Sequence, residues 1–393
     1  LFNQQNRLQI LKMDFLMKQK LTLVGIALLV VGLLFIFNEH KTPTEPVLLT
    51  KTNDEQQLSH SQIARQTQTI NQTDSILPNI SPQEMVRCDG IAEMFTDPII
   101  EDSFNKYSAN QDIYFDNIKQ QQTQQSRIAS AFIKKNKSIE ADIVNFDQLL
   151  QTYPSNKLIA FNLMLHCGYS TVEVCDETMM QRALDIDNQN GALWLQMAIY
   201  QLKSADVEKA KKSLVQFVHS QRYNEYSGDY FSTIDLALKE AGANDDLSLK
   251  IAMLGIAATR YKPNYSLLIE LCDKTDTDNA ALLNICLQTS QRLIESKGGL
   301  FTHQMGLSIQ KSMLEKYGDS EGIANNSSAQ KAFDTFNEEA NIAMNMVLRS
   351  RKRTGDWLSL NIDYGELAAL EYMIDQAKQA SANHQQDQCA INW

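Results

Sequence analysis

Residues 183–217 read ALDIDNQNGALWLQMAIYQLKSADVEKAKKSLVQF, and the fold class turns on this stretch. Leu193, Met197 and Tyr200 recur at i, i+4 and i+7 with Trp194 beside them, the spacing of one apolar face on a helix. Lys203, Ser204, Ala205 and Asp206 interrupt that face with polar and small residues. Val207, Ala210, Leu214 and Phe217 then resume it at helical spacing. Two amphipathic helices joined by a short turn, a helical hairpin, is what this pattern predicts.

The same residues resemble a tetratricopeptide repeat. Trp194, Met197, Ala198 and Ala210 stand where that family carries its Trp, Leu, Gly and first Ala, and Leu214 takes the later aromatic position. Residues 183–188 resemble the end of a preceding repeat. Ala258 and Pro263 have the same separation as Ala183 and Asn188, and resemble the close of a further, degenerate repeat with its hairpin at 265–272 and 280–294. The departures are Gln201 for the usual Tyr, Phe217 at a small-residue position and Asn188 for the closing Pro. The resemblance implies an all-α chain of hairpins stacked as a degenerate solenoid. It makes Ala198 and Ala210 close-packing positions, and it implies a concave surface that binds a protein or peptide.

Composition agrees with an all-α chain. Seven Pro and 15 Gly in 393 residues leave few turns, and few stretches alternate at period two, which argues against a sandwich or barrel. A net charge of −11 is opposite in sign to the footprint of a phosphate-backbone binder, so nucleic acid is not an expected partner.

Met13 and Met17 offer alternative starts to Leu1. From Met17 onward, Lys18 and Lys20 precede an uncharged apolar run at 21–37, close to the roughly 20 residues that span a bilayer. A cleaved signal peptide is the competing reading, but no small-x-small site follows Phe37. Arg7, Lys12, Lys18 and Lys20 lie before the run and Lys41 stands nearly alone after it. This asymmetry predicts a cytoplasmic stub at 1–20, a single-pass anchor at 21–37 in a bacterial inner membrane, and the bulk of the chain in the periplasm. Residues 38–80, rich in Gln, Thr, Ser and Asn, read as a linker. The helical-repeat domain is expected over 81–393, with a first helix from Ser81 through Met94. Two helices are expected within 107–150, one at 158–166, and others at 230–241, 247–260, 300–317, 329–351 and 358–380.

Six cysteines all follow the apolar run: Cys88, Cys167, Cys175, Cys272, Cys286 and Cys389. An even number on one side of a membrane predicts disulfides in an oxidising compartment. Cys167 and Cys175 flank a short turn and Cys272 and Cys286 a slightly longer one, which leaves Cys88 and Cys389 to join the two ends. Zinc is the alternative, because His166 adjoins Cys167, but Cys-x2-Cys and His-x3-His spacings are missing. Asp273, Asp276 and Asp278 lack the Gly and terminal Glu of a calcium loop. No metal, cofactor or catalytic residue is therefore expected. Serine-hydrolase, metalloprotease, phosphate-loop and dinucleotide signatures do not occur. An enzyme whose site assembles between helices is the alternative function, with His166, His219 and His303 as its available histidines. Arg222, Tyr223, Tyr226 and Tyr230, with Phe231, form a cationic and aromatic cluster. They are candidates to line a partner-binding groove, and packing in the core or loop is the other reading of the same residues.

Overall fold

A computed structural model describes residues 80–88, 98, 102, 113–133, 138–170, 174–243, 262–296, 298–383, 389 and 390. All belong to one of two compact units, Pro78–Trp393. The expected anchor, cytoplasmic stub and nearly all of the linker, and the expected helix at 247–260, lie outside the described residues. Among the described residues the regular structure is entirely helical, and no helix is long and apolar enough to cross a membrane.

After a helical segment at 113–120, the helices are α1 (Gln124–Ile133), α2 (Ile139–Thr152), α3 (Lys157–Cys167), α4 (Glu177–Asp185), α5 (Gly191–Lys203), α6 (Val207–His219) and α7 (Ser227–Glu240). They continue with α8 (Tyr265–Lys274), α9 (Ala280–Glu295), α10 (Leu300–Tyr317), α11 (Ser320–Val347), α12 (Arg351–Tyr364) and α13 (Glu366–Ala382). Short polar side chains start many of them. Ser138, Asn156, Asp176, Asn190, Asp206, Asn279, Asp319 and Ser350 each accept a hydrogen bond from a backbone N–H of the first turn. Such caps satisfy donors that the helix cannot satisfy itself.

α5 is the hub. Leu193, Met197 and Tyr200 join the core formed with α1 to α4, α7, α12, α13 and the end of α11, whereas Leu195, Ala198 and Ile199 join a second core with α6, α8, α9 and α10. Its apolar residues therefore run round the cylinder, the pattern of a helix enclosed on all sides. α3 is likewise buried from Leu158 through Cys167. Neighbouring helices pack in the order α1, α2, α3, α5, α6, α9, α10, α11, α13, α12, α7, and α7 returns to α1. Thus α7 touches helices far from it in sequence. Gly228 permits one of these approaches, because a Cβ there would stand 2.2 Å from the Ile362 carbonyl oxygen of α12.

Several sequence expectations are corrected. Residues 81–88 form one turn rather than a helix: Ser81 N–H and Oγ–H both donate to Glu84 Oε2, at 2.9 and 2.7 Å. The chain then leaves that turn to meet α13, where Val86 N–H donates to Ser381 Oγ at 2.8 Å. Among the described residues the interval 107–150 holds three helical segments, because Gln121, Gln122 and Thr123 break the path between the first two. Their polar groups turn to α7 instead: Gln121 Nε2 donates to the Glu240 carbonyl at 2.6 Å and Thr123 Oγ1 to the Glu240 carboxylate at 2.8 Å. α11 starts at Ser320, nine residues before its expected start, on its Asp319 cap. The expected helix at 358–380 is two, broken at Gly365, whose φ of +88° is a conformation glycine adopts without strain. Val207, expected on the buried face of α6, is exposed at its first turn.

Candidate functional site

The loop after α6 carries Arg222, Tyr223 and Tyr226, and it docks on the turn between α4 and α5. Gly191 N–H donates to the Arg222 carbonyl at 2.8 Å, and Asn190 and Arg222 form an isolated bridge. Asn190 is fully buried and engages four groups. Its Oδ1 accepts from Ala192 N–H at 3.1 Å and Asn224 N–H at 2.8 Å, and its Nδ2 donates to the Asn224 carbonyl at 2.8 Å and Tyr226 Oη at 3.0 Å. Buried Asp187 accepts from the Arg222 guanidinium and the Tyr226 hydroxyl, with Lys157 Nζ 3.7 Å away. Tyr226 holds a left-handed φ of 54° at the start of α7.

A second knot lies alongside. Glu225, also buried, accepts from Tyr223 Oη at 2.7 Å and Thr302 Oγ1 at 2.6 Å. Both hydroxyls spend their proton on that carboxylate, so Tyr265 Oη, 3.0 Å from Thr302 Oγ1, is the donor of that pair. Burial, reinforced by the Glu225 charge, holds the Tyr223 and Tyr265 phenols well above their usual range. Burial and the bond to Asp187 do the same for Tyr226. These phenols stay protonated and act as fixed donors.

The four residues expected to line a groove are therefore placed as follows. Tyr226 and Tyr230 are 3% exposed, and both belong to the first core. Tyr223 is half-buried with its hydroxyl turned inward, and Arg222 is partly exposed and clamped to Asp187. The structure brings the first three loop residues together as a latch between helices. Tyr230 packs separately, at a tilt, against Phe132, with ring centroids 4.7 Å apart. The acidic members of the latch, Asp187 and Glu225, have no motif around them and were not singled out from sequence.

The histidines do not converge. His166 is buried and its Nδ1–H donates to the Asn162 carbonyl at 2.7 Å, His219 is exposed at the end of α6, and His303 stacks on Phe333 with centroids 4.9 Å apart. Burial depresses the His303 pKa below its ordinary value. Among the described residues no group of three or more His, Cys, Asp or Glu is arranged to hold a metal ion.

All six cysteines stand in bonded pairs: Cys88 with Cys389, Cys167 with Cys175, and Cys272 with Cys286, at Cα separations of 5.2, 5.8 and 5.8 Å. The spacing of Cys286 within α9 is no obstacle, because Cys272 lies in the last turn of α8, beside it. The Cys167–Cys175 turn is tied down further. Lys203 Nζ donates to the Cys167 carbonyl at 3.1 Å, and Tyr200 Oη to the Cys175 carbonyl at 3.0 Å.

One opening lies away from the latch, where the end of α5 and the start of α6 face α8 and α9. It is an open groove floored by Leu202, Val207, Leu267, Leu271 and Leu282 and rimmed by Glu270, Lys274, Asp276 and Asn279. Sequence periodicity did not mark it, because its residues come from four elements. No family model, curated protein or solved structure matches this chain.

Proposed function

We propose that the chain is a periplasmic interaction scaffold, anchored in the bacterial inner membrane by residues 21–37, whose tetratricopeptide-like hairpins bind a protein or peptide. The open groove beside α6, α8 and α9 carries this reading. Its floor of leucine and valine with a mixed-charge rim fits a side chain or short segment of another polypeptide. Catalysis gains less support, because the buried carboxylates of Asp187 and Glu225 are engaged by donors from the fold itself. The periplasmic part of the reading draws on the cation asymmetry about residues 21–37 and on the three cysteine pairs, which suit an oxidising compartment. The repeat reading rests on two hairpins, α5–α6 and α8–α9; α5 and α6 pack closely and fully buried Ala198 and Ala210 fit its small-residue positions, whereas α9 packs mainly on α10 and only slightly on α8, so the support comes from the first hairpin.

The test is site-specific photocrosslinking in intact cells, with the probe at Val207 or Leu271 in the groove and at exposed Val144 on α2 as a control. Discrete adducts from the groove positions alone are expected. Adducts from Val144 alone, or from none of the three, would overturn the assignment of the groove.

A further inference from the structure

The open groove beside α6, α8 and α9 leaves Val207 37% exposed, an apolar side chain facing water. Charges along the start of α6 cancel one another: Asp206 pairs with Lys209 at 3.5 Å and Glu208 with Lys211 at 2.7 Å. Lys203, at the end of α5, turns away to the Cys167 carbonyl. On α8, Glu270 holds Lys274.

The loop from α8 to α9 is different, because it carries Asp273, Asp276 and Asp278. Asp273 accepts from Ser312 Oγ at 2.6 Å. Asp276, on the groove rim, and Asp278 are exposed, and neither carboxylate has a hydrogen bond or ion pair among the described residues. Lys316 of α10 reaches this loop, but its ammonium donates to the backbone carbonyls of Cys272 at 2.8 Å, Thr275 at 3.1 Å and Asp273. All three of its hydrogens are engaged there, so its charge offsets one of the three carboxylates and its bonds fix the loop. The Cys272–Cys286 bond closes the same loop. The acidic rim is held in place before anything binds, which lowers the ordering cost of binding.

We infer that the groove takes a polypeptide segment in which an apolar side chain is flanked by lysine or arginine, an inference that rests on the groove being the binding site. The apolar side chain covers Val207 and the leucines of the floor, and the cation meets Asp276 and Asp278 at the rim. Like charge at that rim selects against acidic segments. A second copy of this chain, of net charge −11, matches the groove poorly. Its exposed Leu236, Tyr364 and Tyr372 each follow a carboxylate in sequence, Asp235, Asp363 and Glu371, and exposed Tyr317 follows Lys316, whose ammonium is already engaged.

The experiment screens the full chain, immobilised on beads, with a displayed library of random short peptides. Enriched sequences are made synthetically, and those that photocrosslink to a probe at Leu271 but not at Val144 are scored as groove binders. Such binders are expected to carry Lys or Arg beside an apolar residue. Asp276→Asn with Asp278→Asn, both exposed and isosteric, should weaken them by about two- to fivefold for each carboxylate, and raised salt should weaken them in the unaltered chain. The salt response serves as the test even if that variant misfolds. Groove binders that are acidic or uncharged, or whose affinity neither the substitutions nor salt moves, would overturn the inference and leave the groove standing. Peptides that never crosslink at Leu271 would overturn the groove itself, and the inference with it. Crosslinks from Leu271 to a second copy of the chain would make self-association the role of the groove and also overturn the inference.

Discussion

Asn190→Ala is the sharpest perturbation of the latch. It removes four hydrogen bonds at once. Ala192 N–H is buried in the first turn of α5 and has no water to replace its partner, a loss of about 2 kcal/mol for a stranded donor. Asn224 is exposed, so water takes over part of its pairing and the loss there is nearer about 1 kcal/mol. Tyr226 keeps its bond to Asp187 and loses only the Asn190 donor, about 0.5 kcal/mol. The total is about 3–4 kcal/mol, a large share of the roughly 5–15 kcal/mol by which a domain is stable. At about 2 °C per kcal/mol for a unit of this size, the thermal midpoint should fall by about 6–8 °C. Circular dichroism of the full chain in detergent measures it. Asn190→Asp retains the Oδ1 acceptor and should preserve the cap while losing the donors and crowding Asp187. A midpoint for Asn190→Ala within about 1 °C of wild type would show that the latch is not structural, and would return Arg222, Tyr223 and Tyr226 to the status of candidate contacts.

Gln196 on α5 is fully buried and neither atom of its amide has a hydrogen-bond partner among the described residues, so Gln196→Met, which removes the stranded polar group at similar volume, should raise the midpoint by several degrees. A lower midpoint would mean that the amide is satisfied by an internal water. His303 has a depressed native pKa, so the unfolded chain takes up its proton first as pH falls through about 6.5. Its contribution is present above that pH and is lost as pH falls toward the native value. His303→Phe should therefore flatten the loss of stability between neutral and mildly acidic pH, and an unchanged pH slope would remove His303 as its source.

The helices were legible because capping residues and 3.6-residue periodicity are local. The α10 span of 300–317 and the starts of α8 and α9 follow from sequence alone. Which face of α5 is buried was not legible. Leu193, Met197 and Tyr200 mark one stripe, but Leu195, Ala198 and Ile199 are buried just as completely against a different set of helices. Trp194, expected inside, instead lies partly exposed between the two cores, with its indole N–H donating to the Asn188 carbonyl at 2.7 Å. Arg222, Tyr223 and Tyr226 read as an exposed recognition cluster because their acceptors sit elsewhere: Asp187 is 35 and 39 residues from Arg222 and Tyr226. The groove drew no notice for the same reason, since Leu202 and Leu282 meet only in three dimensions. The cysteine pairs were readable because two of them close loops of only 8 and 14 residues, which left a single partner for Cys88.

In the proposed function a unit held by three disulfides lies outside the cytoplasm, and the most direct test is the thiol state inside the cell. Cells are quenched in acid, the protein is denatured and alkylated without reductant, and the mass of the full chain is measured. No alkyl additions are expected at Cys88, Cys167, Cys175, Cys272, Cys286 or Cys389, and peptide maps should join them in the three pairs of the structure. Alkylation of all six would contradict both the compartment and the role of the bonds in the fold.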